Sequence, residues 1–215
     1  MTPEEPTASL ISPLPGAEEP EAEVLLRRLL LYSHSPACAD TLFHHFKSIG
    51  HVVCAEPVQL ASFGLTAQDI ALLKLVHSTA CHMAKARVRR RPLLTNWQGV
   101  IDYLRTVMAY DQIEQFRILF LDRKNNLISD ELQQRGTVDH IPVYPREVIK
   151  RALLLNASAV IVAHNHPTGD PTPSRDDVEM TRRLKVALDA LEVELHDHII
   201  IGHGKHTSFR SAGLL

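Results

Sequence analysis

The sequence predicts an α/β (α+β) fold in which a mixed sheet with flanking helices follows a small all-helical domain. Three observations lead to this prediction. Apolar residues recur at helical spacing through the first part of the chain, whereas short strand-like apolar runs begin only after residue 110. Two amphipathic helical segments lie between those runs, so the predicted order over residues 110–215 is β-β-α-β-α-β-β.

The N-terminal region divides into a tail and a helical domain. Residues 1–20 contain five prolines and little periodic apolar pattern, so we expect a disordered tail. Residues 21–91 are expected to form the helical domain. Its helices are predicted from Glu21, from Ser35 to Ile49 with Pro36 at the first helical position and Gly50 as the stop, and from Ala67 to Ala86.

A basic run separates the two predicted domains. Lys85, Arg87 and residues 89–91 precede Pro92, a pattern typical of a helix end and linker, because cations suit the C-terminal end of the helix dipole. The same run could contact phosphate groups, and both interpretations stay open. The second domain is placed at residues 94–215 and opens with a predicted helix over residues 97–108.

The second domain contains short apolar segments bounded by turn-forming residues. A hairpin is predicted from QFRILFL (115–121) and LISDELQQ (127–134), because turn formers separate the two runs. Amphipathic helices are predicted over residues 145–156 and 174–190, and further strands over residues 158–163, 195–201 and 207–210.

Composition and charge exclude several classes of protein. Lys plus Arg number 23 against 25 for Asp plus Glu, so the total charge does not draw the chain to nucleic acid or to an anionic membrane. The three cysteines are far apart, which indicates small buried hydrophobes rather than a disulfide framework. The acidic, Pro-rich start is unlike a signal peptide, and no apolar run has the length of a membrane helix. We therefore expect a cytoplasmic protein.

Two histidines follow the apolar strand predicted over residues 158–163. His164 and His166 are two residues apart, and in extended backbone they point to one side, where two neutral imidazoles can bind one metal ion. The following loop contains three prolines and one glycine, and its stiffness lowers the entropy lost in bringing Asp177 to the same point. Three protein ligands leave one position open, which is typical of a catalytic zinc site.

The spacing His164-x-His166, then Ser174-x-x-Asp177, resembles the JAMM motif of the JAB/MPN metallopeptidase superfamily. With the flanking runs LFLDRKNNLISDELQQRGTVDHIPVYPREVIKRAL and LHDHIIIG, residues 96–215 resemble the bacterial RadC-type proteins. The resemblance implies a JAB/MPN-like sheet, a bound zinc ion, and hydrolysis of a peptide, isopeptide or related amide bond. It also implies that Glu114 acts as the general base and that the Ser174 hydroxyl helps to hold the oxyanion.

Alternatives to these assignments stay open. Glu131 and Glu147 compete with Glu114 as the base, and Asp176 competes with Asp177 as the ligand. Ser174 and Asp177 also resemble a helix capping box, and one carboxylate is not expected to serve both the cap and a metal ion.

The segment LHDHIIIG holds two further histidines. Strand alternation predicts His196 and His198 on one face, where a structural or supporting role is favoured over a second metal site. The roles of Asp197 and His198 stay open.

RadC-type proteins carry a helical domain similar to helix-hairpin-helix units, which bind DNA phosphates through a Gly-apolar-Gly hairpin. The matching stretch has Gly64 but carries Thr66 in place of the second glycine, and a side chain there hinders the approach of backbone amides to phosphate. The alternative function is a DNA repair or recombination factor whose metal domain recognises a partner.

Overall fold

A computed structural model of the chain describes residues 18–31, 38–89, 91–136 and 143–215. Residues 1–17 of the expected tail and the predicted helix start at Ser35-Pro36 lie outside these described ranges. The described residues form two compact units, one within residues 1–73 and the other within residues 74–215. The domain limits predicted at residues 21–91 and 94–215 stay a prediction.

The first unit is helical. It contains α1 (Glu18–Leu31), α2 (Cys38–Phe46), α3 (Ile49–Cys54), α4 (Pro57–Ser62) and the start of α5 (Ala67–Val88). Its core includes the buried side chains of Leu26, Leu30, Leu42, Val52, Leu60 and Leu73. Helix α4 was not predicted.

The C-terminal end of the helix predicted over residues 35–49 is wrong. Helix α2 ends at Phe46, and Lys47 adopts a left-handed conformation with φ 63°. Ser48 then caps α3 by accepting a hydrogen bond from the His51 amide. Gly50 is therefore a helical residue and not a helix stop, because the local cap at Ser48 restarts the helix before it.

The second unit contains a mixed sheet with helices on both faces, which confirms the predicted fold class. A short 3₁₀ helix (Leu93–Asn96) leads into α6 (Trp97–Met108), followed by β1 (Glu114–Leu121), β2 (Leu127–Gly136), α7 (Pro145–Leu154), β3 (Ala159–Asn165), α8 (Arg175–Asp189), β4 (Glu194–Ile201) and β5 (His206–Ser208). The strand order is β2-β1-β3-β4-β5. Strands β3 and β4 are parallel, and the other neighbouring pairs are antiparallel.

The central strands are buried on both faces, which explains their nearly continuous apolar sequence. One face packs against α6 through side chains such as Val100, Leu104 and Met108. The opposite face packs against α7 and α8, where Val148 and Leu184 are among the buried residues. The candidate site lies on this second face.

Two smaller findings concern membranes and cysteines. Within the described residues, no helix combines the length and the apolar character needed to cross a membrane. Cys38, Cys54 and Cys81 are half-buried, although the sequence indicated burial. Burial raises the pKa of the Cys81 thiol, and this lowers its reactivity at neutral pH.

Candidate metal centre

The two histidines lie where β3 ends on the face covered by α7 and α8. His164 is opposite Phe116 of β1 and is almost fully buried. His166 follows the last strand residue, and its amide donates a hydrogen bond to the carbonyl of Ile201 at 3.0 Å. The Nε2 atoms of His164 and His166 are 3.0 Å apart. The prediction that alternation would turn both rings to one side therefore holds.

Asp177 completes the group from the first turn of α8. Its Oδ1 is 3.2 Å from His164 Nε2, and its Oδ2 is 3.5 Å from His166 Nε2. One ligand-type atom from each of the three residues lies within 4.8 Å of the others. Two imidazole nitrogens and a carboxylate oxygen are the donors that Zn²⁺ prefers, and three protein donors leave a coordination position open. The residues therefore fit zinc.

Asp177 also forms a capping box with Ser174. The Ser174 amide and hydroxyl donate to Asp177 Oδ2 at 2.8 and 2.7 Å, and the Asp177 amide donates to the Ser174 hydroxyl. The expectation that one carboxylate does not serve both the cap and a metal ion stays a prediction. The cap is made through Oδ2, whereas Oδ1 is turned toward His164.

Charge and burial act in opposite directions at this group. Burial alone would raise the pKa of Asp177, but the contacts of its carboxylate with His164 and His166 hold that pKa well below its usual range. The adjacent Asp177 carboxylate raises the pKa of His166. Asp177 is therefore an anion at neutral pH, as a metal ligand must be.

Close backbone contacts hold the loop between His166 and α8. Gly169 has φ +85°, and its carbonyl accepts a hydrogen bond from the His203 amide at 3.0 Å. A Cβ on Gly202 would lie 2.2 Å from that same carbonyl oxygen, so this position requires glycine. His166 Nδ1 donates to the Asp170 carbonyl at 2.7 Å, and the bond leaves Nε2 of the neutral ring without a hydrogen.

A pocket of about 420 Å³ opens beside His164 and Asp177. Glu114, at the start of β1, lines it together with Asp176 and the apolar side chains of Phe116, Val143, Pro145 and Met180. Glu131, one of the alternatives to Glu114, is instead held by Arg151 at 2.7 Å. Glu147 forms an ion pair with Arg146.

Asn165 fixes the backbone on both sides of Glu114, a contact that sequence reasoning missed. Its buried side chain accepts a hydrogen bond from the Gln115 amide at 2.8 Å and donates to the Ile113 carbonyl at 3.2 Å. The only signal in the sequence was its position between the two histidines. Glu114 is thereby linked to the strand that carries His164.

Behind His164 lies His198, which is fully buried and 2.8 Å away (His164 Nδ1 to His198 Nε2). The other nitrogen of His198 is 2.6 Å from the Thr181 hydroxyl of α8. Thr181 was not predicted, although it lies one helical turn after Asp177 and hence on the same face of α8. Burial, with His164 close by, keeps the pKa of His198 well below its ordinary value.

The prediction that His196 and His198 share one face is wrong. The register of β4 against β3 shifts at this point: Val160 pairs with Leu195 and Ile161 pairs with Asp197, so His196 is an extra residue. This bulge breaks the alternation. His196 contacts Asn125 at 2.6 Å, whereas His198 contacts His164.

The Asp197 side chain has a structural role. Its buried carboxylate accepts hydrogen bonds from the His198 amide at 2.8 Å, the Arg210 amide at 2.9 Å and the Ser208 hydroxyl. These bonds fasten the C-terminal turn to β4.

Two stretches were considered for phosphate binding, the one around Thr66 and the basic run from Lys85, and residues of both bind carboxylates of this chain. Thr66 caps α5: both its amide and its hydroxyl donate to the Asp69 carboxylate at 2.6 Å. In the basic run, Lys85 forms an ion pair at 3.0 Å with the buried Asp130.

Comparisons with known proteins identify the family of the chain. A family model described as RadC-like JAB domain matches residues 94–214. The chain therefore belongs to the RadC-like JAB domain family. A UPF0758 protein of Rhodobacter capsulatus is 51% identical over 194 residues, which cover 90% of this chain and 91% of that protein. A UPF0758 protein of Ruegeria pomeroyi is 48% identical over 194 residues, which cover 90% of this chain and 87% of that protein.

Proposed function

We propose that this protein is a zinc-dependent hydrolase of the JAMM type that cleaves a peptide, isopeptide or related amide bond. The ligands in this proposal are His164, His166 and Asp177, and the general base is Glu114. Membership of a JAB family and the convergence of the three ligand-type side chains support it.

One observation carries the proposal: a carboxylate outside the ligand group, Glu114, lines the same apolar-walled pocket as His164 and Asp177. A purely structural zinc site is closed by a fourth protein ligand, whereas a catalytic site keeps access to a pocket. Pockets with mostly apolar walls and a few polar groups are also typical of substrate sites.

The proposed chemistry assigns one task to each side chain. Zinc, when bound, supplies a Lewis acid that acidifies water and polarises a substrate carbonyl. The Glu114 carboxylate takes the proton from the attacking water and returns it to the leaving nitrogen. Phe116 and Met180 limit the access of bulk water and strengthen electrostatic interactions in the pocket. The oxyanion role of Ser174 stays a prediction, and for it the hydroxyl must turn from Asp177 toward the substrate.

The first test is the metal content of the purified protein by elemental analysis. We expect close to one zinc per chain in the wild type and its loss in His164→Ala/His166→Ala. A matched double variant, His44→Ala/His82→Ala, removes two exposed histidines elsewhere and should keep the metal. Wild-type protein without zinc after preparation free of chelators and tag metals would overturn the proposal.

The second test separates metal binding from chemistry. Glu114→Gln keeps the size of the side chain and removes the base, so zinc content should be unchanged. Hydrolysis of peptide and isopeptide libraries should fall by about 10²-fold or more. Undiminished hydrolysis in Glu114→Gln would remove Glu114 from the mechanism.

DNA is not part of the proposal. The Thr66 amide, which would face phosphate in a Gly-apolar-Gly hairpin, is bonded to the Asp69 carboxylate, and a carboxylate repels phosphate. Lys85 of the basic run is paired with Asp130. Salt-sensitive binding of duplex DNA through the remaining arginines of the run would restore the alternative.

A further inference from the structure

A chain of hydrogen bonds connects two of the proposed ligands through residues that are not ligands. It runs from His164 Nδ1 to His198 Nε2 (2.8 Å), from His198 Nδ1 to the Thr181 hydroxyl (2.6 Å), and from that hydroxyl to the carbonyl of Asp177 (2.6 Å). The chain starts on β3, passes through β4 and ends on α8 at the third ligand. We call it the His198–Thr181 relay.

The direction of each hydrogen bond in the relay follows from the last acceptor of the relay, the Asp177 carbonyl. A carbonyl oxygen only accepts, so the Thr181 hydroxyl donates to Asp177 and its own oxygen accepts from His198 Nδ1–H. His198 is fully buried, and its two ring nitrogens face a hydroxyl and another imidazole, so the ring is neutral. Its Nε2 then carries no hydrogen and accepts from His164 Nδ1–H.

This direction decides which ring nitrogen of His164 carries no hydrogen and can bind a metal ion. With the hydrogen on Nδ1, the lone pair of neutral His164 is on Nε2, the atom that faces His166 and Asp177. Without the relay, the Asp177 carboxylate, whose Oδ1 is 3.2 Å from His164 Nε2, would draw the ring hydrogen to Nε2 in a large share of molecules. That hydrogen would have to be lost or moved before a metal ion could bind.

Packing keeps the His198 ring in the required orientation. The Phe209 ring lies 4.5 Å from it between centroids, and Phe116 packs on its edge at 6.0 Å. The bulge at His196 turns His198 to the face of β4 that carries the site.

We infer that His198 and Thr181 are positioning residues that fix the His164 tautomer and couple the ligand on β3 to the ligand on α8. The inference rests on the proposed zinc site. Zinc affinity should depend on a threonine hydroxyl that touches neither the metal nor the pocket.

The experiment compares Thr181→Val, which removes the hydroxyl at nearly constant volume, with Thr181→Ser, which keeps it. Zinc affinity, measured by competition with a chromophoric chelator, should fall about 10- to 100-fold in Thr181→Val and stay near wild type in Thr181→Ser. Thr79→Val is the matched control, because Thr79 makes the same hydroxyl bond to a carbonyl four residues earlier, at 2.8 Å on α5.

A second measurement is independent of metal and of hydrolysis. Imidazole ¹H–¹⁵N spectra of the metal-free protein should show His164 as the Nδ1–H tautomer in the wild type and in Thr181→Ser, and a mixture in Thr181→Val. Unchanged zinc affinity and an unchanged tautomer in folded Thr181→Val would overturn the inference. If the wild type binds no zinc, the proposed function fails, and the relay is then judged by the tautomer alone.

Discussion

Replacement of Asp130 by Asn should strongly destabilise the second unit, although Asp130 lies far along the chain from the candidate metal ligands. The side chain of Asp130 on β2 is 1% exposed and accepts from Arg117 of β1 at 2.7 Å, Lys85 of α5 at 3.0 Å and the Tyr103 hydroxyl of α6. Four elements therefore meet at one carboxylate. Asparagine keeps the shape but leaves two cations without their counter-charge.

The size of the effect follows from burial. Breaking a buried ion pair by removing one partner costs about 3–5 kcal/mol. Because Lys85 is 32% exposed and regains water, we expect the lower end of that range, about 3 kcal/mol in the free energy of unfolding. For a chain of this size the melting temperature should fall by about 6–12 °C.

The assay is urea unfolding followed by tryptophan fluorescence. The chain has one tryptophan, Trp97, and it packs against the core on the α6 face of the sheet, so the signal reports on the second unit. Glu131→Gln is the matched control on the neighbouring residue of β2. Its partner Arg151 is 42% exposed, so the loss should be about 1 kcal/mol or less. Equal losses in the two variants would refute the reasoning.

The pH dependence gives a second check on the same carboxylate. Burial alone would raise the pKa of Asp130, but Arg117, Tyr103 and Lys85 hold it below its ordinary value of 3.8. The ionised form therefore stabilises the fold above pH 3.8, and this stabilisation is lost as the pH falls through the lower pKa of the folded state. The stability difference between wild type and Asp130→Asn should be constant near neutrality and should narrow in acid. A difference that grows in acid would contradict this assignment.

Three further substitutions test the supports of the site. Gly202→Ala places a methyl group 2.2 Å from the Gly169 carbonyl oxygen, so it should displace the loop and weaken zinc binding. Zinc affinity is measured by calorimetric titration, and an unchanged affinity would contradict the close contact. Asn165→Leu leaves the Gln115 amide buried without its partner and removes the bond to the half-buried Ile113 carbonyl, so it should cost about 3 kcal/mol in urea unfolding. A cost below about 1 kcal/mol would mean that water replaces the side chain. Ser174→Ala removes the side-chain cap of α8 and should lower the free energy of unfolding by about 1 kcal/mol in thermal unfolding, whereas Ser174→Thr should stay near wild type. Equal losses of stability in the two variants would mean that the Ser174 hydroxyl does not cap the helix.

Much of the fold of the second unit was readable from local pattern. The helix predicted over residues 97–108 has those same bounds, and the ends of each strand, including the last at His206–Ser208, lie within two residues of their predicted positions. Alternation along β3 was sufficient to place His164 and His166 on one side, and the short, stiff loop was sufficient to bring Asp177 to them. Periodicity, capping and loop stiffness act between residues close in sequence, so the sequence alone carries them.

Other features depended on residues that meet only after folding. Gly50 looked like a stop because the left-handed turn at Lys47 has no signature in the apolar pattern. His198 reaches His164 only because β4 bulges at His196, and a bulge is set by the register between two strands. Thr181 and Asp130 acquire their partners across 17 and 45 residues of chain, for His198 and Lys85 respectively. The sequence determined which side chains could bind a metal ion, and the tertiary structure decided which residues orient and support them, because strand register and long-range packing bring those partners together.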